Sequence, residues 1–168
     1  GAGGGGGDDD TGKGGAGGDD ALSLAPCPFT VFGEADRSRV VVVGHSLNAA
    51  ASDEGSLRTL LLNSAGSLSD TGTRLDYGDT RMRLLFSASG EFLFAAGEAG
   101  RVRSFSVGAD GSVDPIGEVK VDAYYVQSLA LSPNGRRLLL GNYNADTDGG
   151  VHVVDVDCDG ELTAREDL

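Results

Sequence analysis

The sequence predicts an all-β fold of about three four-stranded antiparallel units, and three observations predict it. Glycines recur roughly every 45 residues, apolar positions recur in step with them, and no apolar stripe at helical spacing is long enough to stand as a helix. With Gly55, Gly100 and Gly149 in one column, 45 and 49 residues apart, Leu57 falls over Val102 and Val151. Leu60 then falls over Phe105 and Val154, and Leu62 over Val107 and Val156. The turn glycines Gly66, Gly111 and Gly160 coincide next, followed by Leu68, Val113 and Leu162. A second register precedes this one. Gly90 and Gly135 align in the turns Ala88-Ser89-Gly90 and Pro133-Asn134-Gly135, and behind them Val41, Leu93 and Leu138 line up, as do the small residues Gly44, Ala96 and Gly141.

Each unit therefore reads as strand, turn, strand, loop, strand, glycine turn and a last ragged strand. In the second unit the strands are expected at 82–87, 91–96, 101–107 and 113–121, and in the third at 126–131, 136–141, 151–157 and from 161 onward. Four antiparallel strands per period of this length are the signature of a β-propeller blade. A single blade cannot cover both of its faces, and stacking blades around an axis buries them. The middle strands at 40–43 and 138–140 are accordingly apolar on consecutive positions. Blades are expected over 28–79, 80–125 and 126–168. Three blades do not close a ring, since propellers use about four to eight. The chain thus reads as a partial β-propeller, completed by further blades or by copies of itself. Self-association through the exposed blade faces is expected.

The first 22 residues read as a disordered tail. Eleven of the 28 glycines fall within the first twenty residues, beside five Asp and one Lys. A Gly/Asp tether resembles the spacer that follows the lipid-bearing cysteine of bacterial lipoproteins, and an ordinary disordered extension has the same composition. Gly1 is not a start methionine, so the chain reads as a processed product or a piece of a longer gene. An extracytoplasmic location (secreted, periplasmic or lipid-tethered) is the expectation, with the cytoplasm left open. The net charge of −13 repels phosphate, which argues against a nucleic-acid partner and leaves a small molecule or a protein. The longest apolar run is far short of the roughly 20 residues of a transmembrane segment. Cys27 and Cys158 are too few for a disulfide framework and too far apart for a metal clip, and two free thiols are favoured over a disulfide.

The string from Ser132 through Gly135 to Tyr143, and the later Asp155-Val156-Asp157-Cys158-Asp159-Gly160-Glu161-Leu162-Thr163, together resemble a blade of the lactonase-type seven-bladed propellers. That family includes bacterial 6-phosphogluconolactonase and the Tyr-Val-Thr-Asn repeat proteins. The segment from Ala88 to Gly97 is a weaker copy, and the resemblance covers residues 28–168. WD-repeat propellers fit worse, because the chain has no Trp. The resemblance implies hydrolysis of a sugar lactone by a His with Arg and Glu side chains at the mouth of the central channel. Where the family's pattern has that His, this chain has Gln127 and Met82. An amide and a thioether have no proton equilibrium near neutral pH and cannot act as a general base. Two readings follow: a lactonase-like propeller fragment serving as a non-catalytic ligand- or partner-binding platform, or the N-terminal part of a 6-phosphogluconolactonase-like sugar-lactone hydrolase. His45, Ser46, Gln127 and Asn142 are the candidate ligand-rim residues, since loops at blade ends carry propeller function.

Two motifs compete with the blade reading. Gly44-His45-Ser46-Leu47-Asn48 imitates a nucleophile elbow, but the second glycine is Asn48 and only about ten residues separate Ser46 from the next strand, too few for the required helix. Asp155, Asp157, Asp159 and Gly160, followed by Glu166, match a calcium-loop spacing, as carboxylates at alternate positions can converge on one hard cation. The aligned blades turn these columns into a β-hairpin, in which Asp155 and Asp157 share a face without curling round a metal. Asn144, Asp146 and Asp148 form a second acidic stretch that reads as a loop. No cofactor is expected beyond calcium at these two places.

Overall fold

The structure is a computed structural model and describes residues 27, 40–45, 56–76, 82–144 and 147–165. The expected tail, the segment that would supply the first strand of the first blade, and the segment after His45 lie outside the described residues. Among the described residues there are eleven strands and no helix. The first sheet joins β1 (Val40–His45), β2 (Ser56–Leu62) and β3 (Leu68–Asp76). The second joins β4 (Arg83–Phe86), β5 (Phe92–Ala96), β6 (Arg101–Val107) and β7 (Val113–Lys120). The third joins β8 (Tyr125–Leu131), β9 (Arg137–Asn144), β10 (Thr147–Val156) and β11 (Leu162–Ala164). Each strand pairs antiparallel with its sequence neighbour. β9 and β10 run further than the sequence predicts. A register shift between Thr147 and Gly150 absorbs the extra residues, so pairing continues to Thr147 opposite Asn144. Asn144, Thr147 and Asp148, expected within an acidic loop, are therefore strand residues.

The repeating turns are built by the same chemistry each time. Between β2 and β3, Gly66 N donates to Asn63 O at 3.0 Å, while Asn63 Oδ1 accepts from Ala65 N and Ser67 N. Between β10 and β11 Asp157 takes the same part, its Oδ1 accepting from Asp159 N and Glu161 N. Between β6 and β7 that column is Gly108, which has no side chain, and Asp110 Oδ1 accepts from Ser112 N instead. All three turns need a residue in the left-handed region, and Gly66, Gly111 and Gly160 supply it at φ of 80°, 84° and 85°.

Alternation along the strands turns the sequence columns into faces. In β5, Leu93 and Ala95 pack with Val40, Leu57, Phe105 and Val107, between the first and second sheets. Phe94 and Ala96 pack with Val102, Leu138, Leu140, Val154 and Val156, between the second and third. Both faces of the second sheet are thus covered, which is why four consecutive residues of β5 are buried. The column of Leu57, Val102 and Val151 looks toward the following sheet. Leu57 and Val102 are buried there, whereas Val151 has no following sheet among the described residues and is 62% exposed. Leu139 on the same face and Val43 on the opposite end face are also exposed.

The cysteines correct the sequence expectation. Cys27 and Cys158 form a disulfide, with Cα atoms 5.3 Å apart and 131 positions of chain between them. Sequence spacing could not foresee this, because 131 positions of chain separate the two cysteines.

Candidate functional site

The second and third sheets adjoin through β4 and β8 along one edge and through β7 and β11 along the other. In a propeller the first strand of each blade lies nearest the axis, so the β4–β8 edge is the wall of the channel. Several segments meet at one end of it. Arg83, at the start of β4, pairs with Ala96 at the end of β5. The loop after β5 is tied to the start of β8, where Ala99 N donates to Tyr124 O at 2.9 Å and Val126 N to Gly97 O at 3.3 Å. Tyr125 pairs with Tyr143 at the end of β9, and a Cβ built at Gly44, near the end of β1, would meet Met82 and Leu84.

At this mouth the channel wall carries a polar pair. Gln127 is the extra residue of a bulge between Val126 and Ser128, so its carbonyl does not pair with β9. Arg83 occupies it instead, with Nε donating to Gln127 O at 2.8 Å and Nη2 to Gln127 Oε1 at 3.5 Å. Both residues are exposed. A guanidinium has five N–H donors, and these two bonds leave donors for an oxygen-rich ligand. Tyr124 and Tyr143 are exposed at the same end of the sheets, and the rings of Tyr124 and Tyr125 meet edge-on at a centroid distance of 4.2 Å. Ala99 holds φ of 58° at the same rim, a backbone strain of the kind that gathers at ligand sites.

The structure separates the two residues that share the family's His column. Gln127 is on the channel wall, but Met82 is half-buried and packs with Leu84 in the cluster between the first and second sheets. Asn142 sits opposite Val126, and its Nδ2 donates to His152 Nε2 at 2.8 Å. His45 closes β1 opposite Ser56, while its side chain and the whole of Ser46 lie outside the described residues.

Sequence reasoning missed Arg83 and His152. His152 alternates with Val154 and Val156, so its burial could have been read from the strand period. Arg83 carries a weaker signal, a charged residue next to the Met82 column at the start of a short strand.

The acidic residues are engaged separately. Asp155 lies between Arg165, at 2.8 Å, and Arg137, at 3.5 Å. Asp157 caps its own turn, and Asp159 is exposed. Asp146, Glu166 and the side chains of Asn144 and Asp148 lie outside the described residues. Among the described residues no three His, Cys, Asp or Glu gather closely enough to hold a metal ion, and no helix is long and apolar enough to cross a membrane.

A family model described as "Lactonase, 7-bladed beta-propeller" matches residues 40–168. The periplasmic gluconolactonase of Pseudomonas aeruginosa is similar in structure at a TM-score of 0.62 and 25% identity, over 74% of this chain and 36% of that one. A candidate 6-phosphogluconolactonase from Bacteroides fragilis is similar at a TM-score of 0.54 and 25% identity, over 65% and 34% of the two chains. A protein from Lactobacillus plantarum is similar at 0.53 and 25%, over 66% and 34%. A search of curated proteins finds no match. The chain spans about a third of the length of these solved structures. Repeating turns, a middle sheet covered on both faces and a family match over most of its length agree that this chain belongs to the lactonase family of seven-bladed β-propellers.

Proposed function

We propose that this part of a lactonase-type propeller binds an oxygen-rich small molecule, of the sugar-lactone kind, at the channel mouth and has no catalytic base of its own there. The observation that carries this reading is the Arg83–Gln127 pair. Hydrogen-bond donors face the channel where the family's pattern calls for a His, and an amide cannot take a proton from water near neutral pH. Tyr124, Tyr125 and Tyr143, at the same end of the sheets, offer ring faces and edges to the C–H surface of a sugar. The disulfide and the periplasmic neighbour support an extracytoplasmic location, where such bonds persist. The test is gluconolactone added to the chain. Chemical-shift changes confined to Arg83, Gln127 and the tyrosines, lost in Arg83→Ala, are expected, with lactone opening no faster than in buffer. Hydrolysis above the buffer rate that survives Gln127→Ala would overturn it.

The second reading, part of a sugar-lactone hydrolase, is favoured by the gluconolactonase among its structural neighbours. It requires that further blades bring a His with Arg and Glu partners to the channel. Sequencing the gene beyond Leu168 discriminates between the two readings.

A further inference from the structure

At the end opposite the channel mouth site, the turns at 87–91 and 131–135 and the disulfide enclose a cleft of about 100 Å³. Its floor is Phe92, Phe94, Leu131 and Val156, and one wall is the Cys27–Cys158 bond itself. Against that bond lies a cation. Nη1 of Arg136 donates to Cys27 Sγ at 2.9 Å and to Cys158 Sγ at 2.7 Å, and Arg136 Nε is buried with no hydrogen-bond partner.

A disulfide sulfur is a neutral, weak acceptor, and a guanidinium held against two of them recovers little of its lost hydration. The same guanidinium against a thiolate makes a charge-assisted bond, which is far stronger. Arg136 is therefore matched to the reduced pair better than to the oxidised one. A cation that favours the reduced form makes its disulfide the more oxidising partner in exchange. Access is also asymmetric, because Cys158 is exposed and Cys27 is half-buried.

From this geometry we infer that Cys27–Cys158 is a thiol–disulfide exchange site whose reduced state is held by Arg136, and that its co-reactant is a dithiol. One thiolate of the dithiol attacks Cys158 Sγ, forming a mixed disulfide and breaking the Cys27–Cys158 bond. The electron pair leaves on Cys27 Sγ as a thiolate beside Arg136. The second thiol of the reductant then attacks its own sulfur in the mixed disulfide and releases Cys158. Two electrons pass to the protein, two protons follow when the thiolates are protonated, and the dithiol is oxidised to a disulfide. The turn that bears Cys158 stays anchored by Asp157 Oδ1 to Asp159 N and Glu161 N.

The test equilibrates the protein in graded mixtures of reduced and oxidised dithiothreitol and counts free thiols by mass after alkylation. Arg136→Gln is expected to shift the equilibrium toward the disulfide about tenfold, or about 30 mV for this two-electron couple. Arg136→Lys, which keeps the charge, is expected to stay nearer the wild type. A Gln variant within twofold of wild type overturns the inference, as does an air-oxidised wild type with two free thiols. Should the Gln variant fail to fold, the reduced wild type decides alone. Its thiolate absorbance, followed against pH, is expected below the range of an ordinary cysteine, and absorbance within that range overturns the inference.

Discussion

Three glycines in the same turn meet three different surroundings. A Cβ on Gly160 would approach Phe92 to 2.8 Å and Ile116 to 2.9 Å, and one on Gly111 would approach Thr71 to 2.9 Å and Thr59 to 3.0 Å. Each clash is with the preceding sheet. A Cβ on Gly66 would meet nothing within 4 Å, in keeping with its place in the first sheet. All three share the backbone cost of an L residue at positive φ, about 1 kcal/mol, so Gly66→Ala is expected to cost about that much in a urea melt. Gly160→Ala adds the clash with an aromatic ring and is expected to cost about 2–4 kcal/mol. Equal costs would show that the turn does not bear on the neighbouring sheet. Also at this scale, the Arg58 guanidinium bonded to Asp70 holds that carboxyl down to about 2, with a further bond from Gly72 N. Because the folded-state value is depressed, the stabilisation is complete above the ordinary carboxylate range, about 4, and is lost as pH falls through about 2. Asp70→Asn is expected to flatten the fall in melting temperature between those two values. The pair is exposed, so the effect at neutral pH is small.

At the scale of elements, the disulfide and the β8 bulge both reach beyond a single sheet. The bond closes a span of 131 positions, and chain-entropy reasoning assigns such a closure about 4–5 kcal/mol, with measured values commonly about 2–4. Cys158→Ser is expected to lower the stability of the oxidised protein by an amount in the measured range. A melt unchanged by the substitution would show that residue 27 is held beside the third sheet by other contacts. The bulge works on a shorter span. By taking Gln127 out of the ladder it frees a carbonyl for Arg83, and so couples β4 to β8 at the site proposed for ligand.

At the scale of the molecule, the outward faces of the first and third sheets, which no other sheet among the described residues covers, dominate. Val151 is 62% exposed and Leu139 37%, against complete burial for the residues that do the same work between the second and third sheets, such as Val102 and Leu138. Burying apolar area contributes about 25 cal/mol per Å², so two uncovered sheet faces forgo an amount comparable with a domain's whole stability. The 168-residue chain by itself is expected to self-associate or to melt at low temperature. Sedimentation at several concentrations combined with thermal melting checks it. A monodisperse monomer melting cooperatively above about 65 °C would contradict the expectation.

The architecture was legible in the sequence because it rests on short-range, repeated causes. A glycine that must take positive φ and an apolar residue on every second strand position recur at the same spacing in each unit. Comparing Gly66, Gly111 and Gly160 with Leu60, Phe105 and Val154 therefore reveals the blades without any knowledge of contacts. Gln127 is named from the sequence by the column where the family's pattern has a His. What only the tertiary structure decided depends on residues far apart in the chain. The Cys27–Cys158 bond, Arg136 against both sulfurs, Arg83 on the Gln127 carbonyl and the different fates of Met82 and Gln127 all arise where one sheet stacks on the next. The repeat specifies that sheets stack, but the side chains that meet across the seam are set by the twist and offset of the stacked sheets, which no local pattern records.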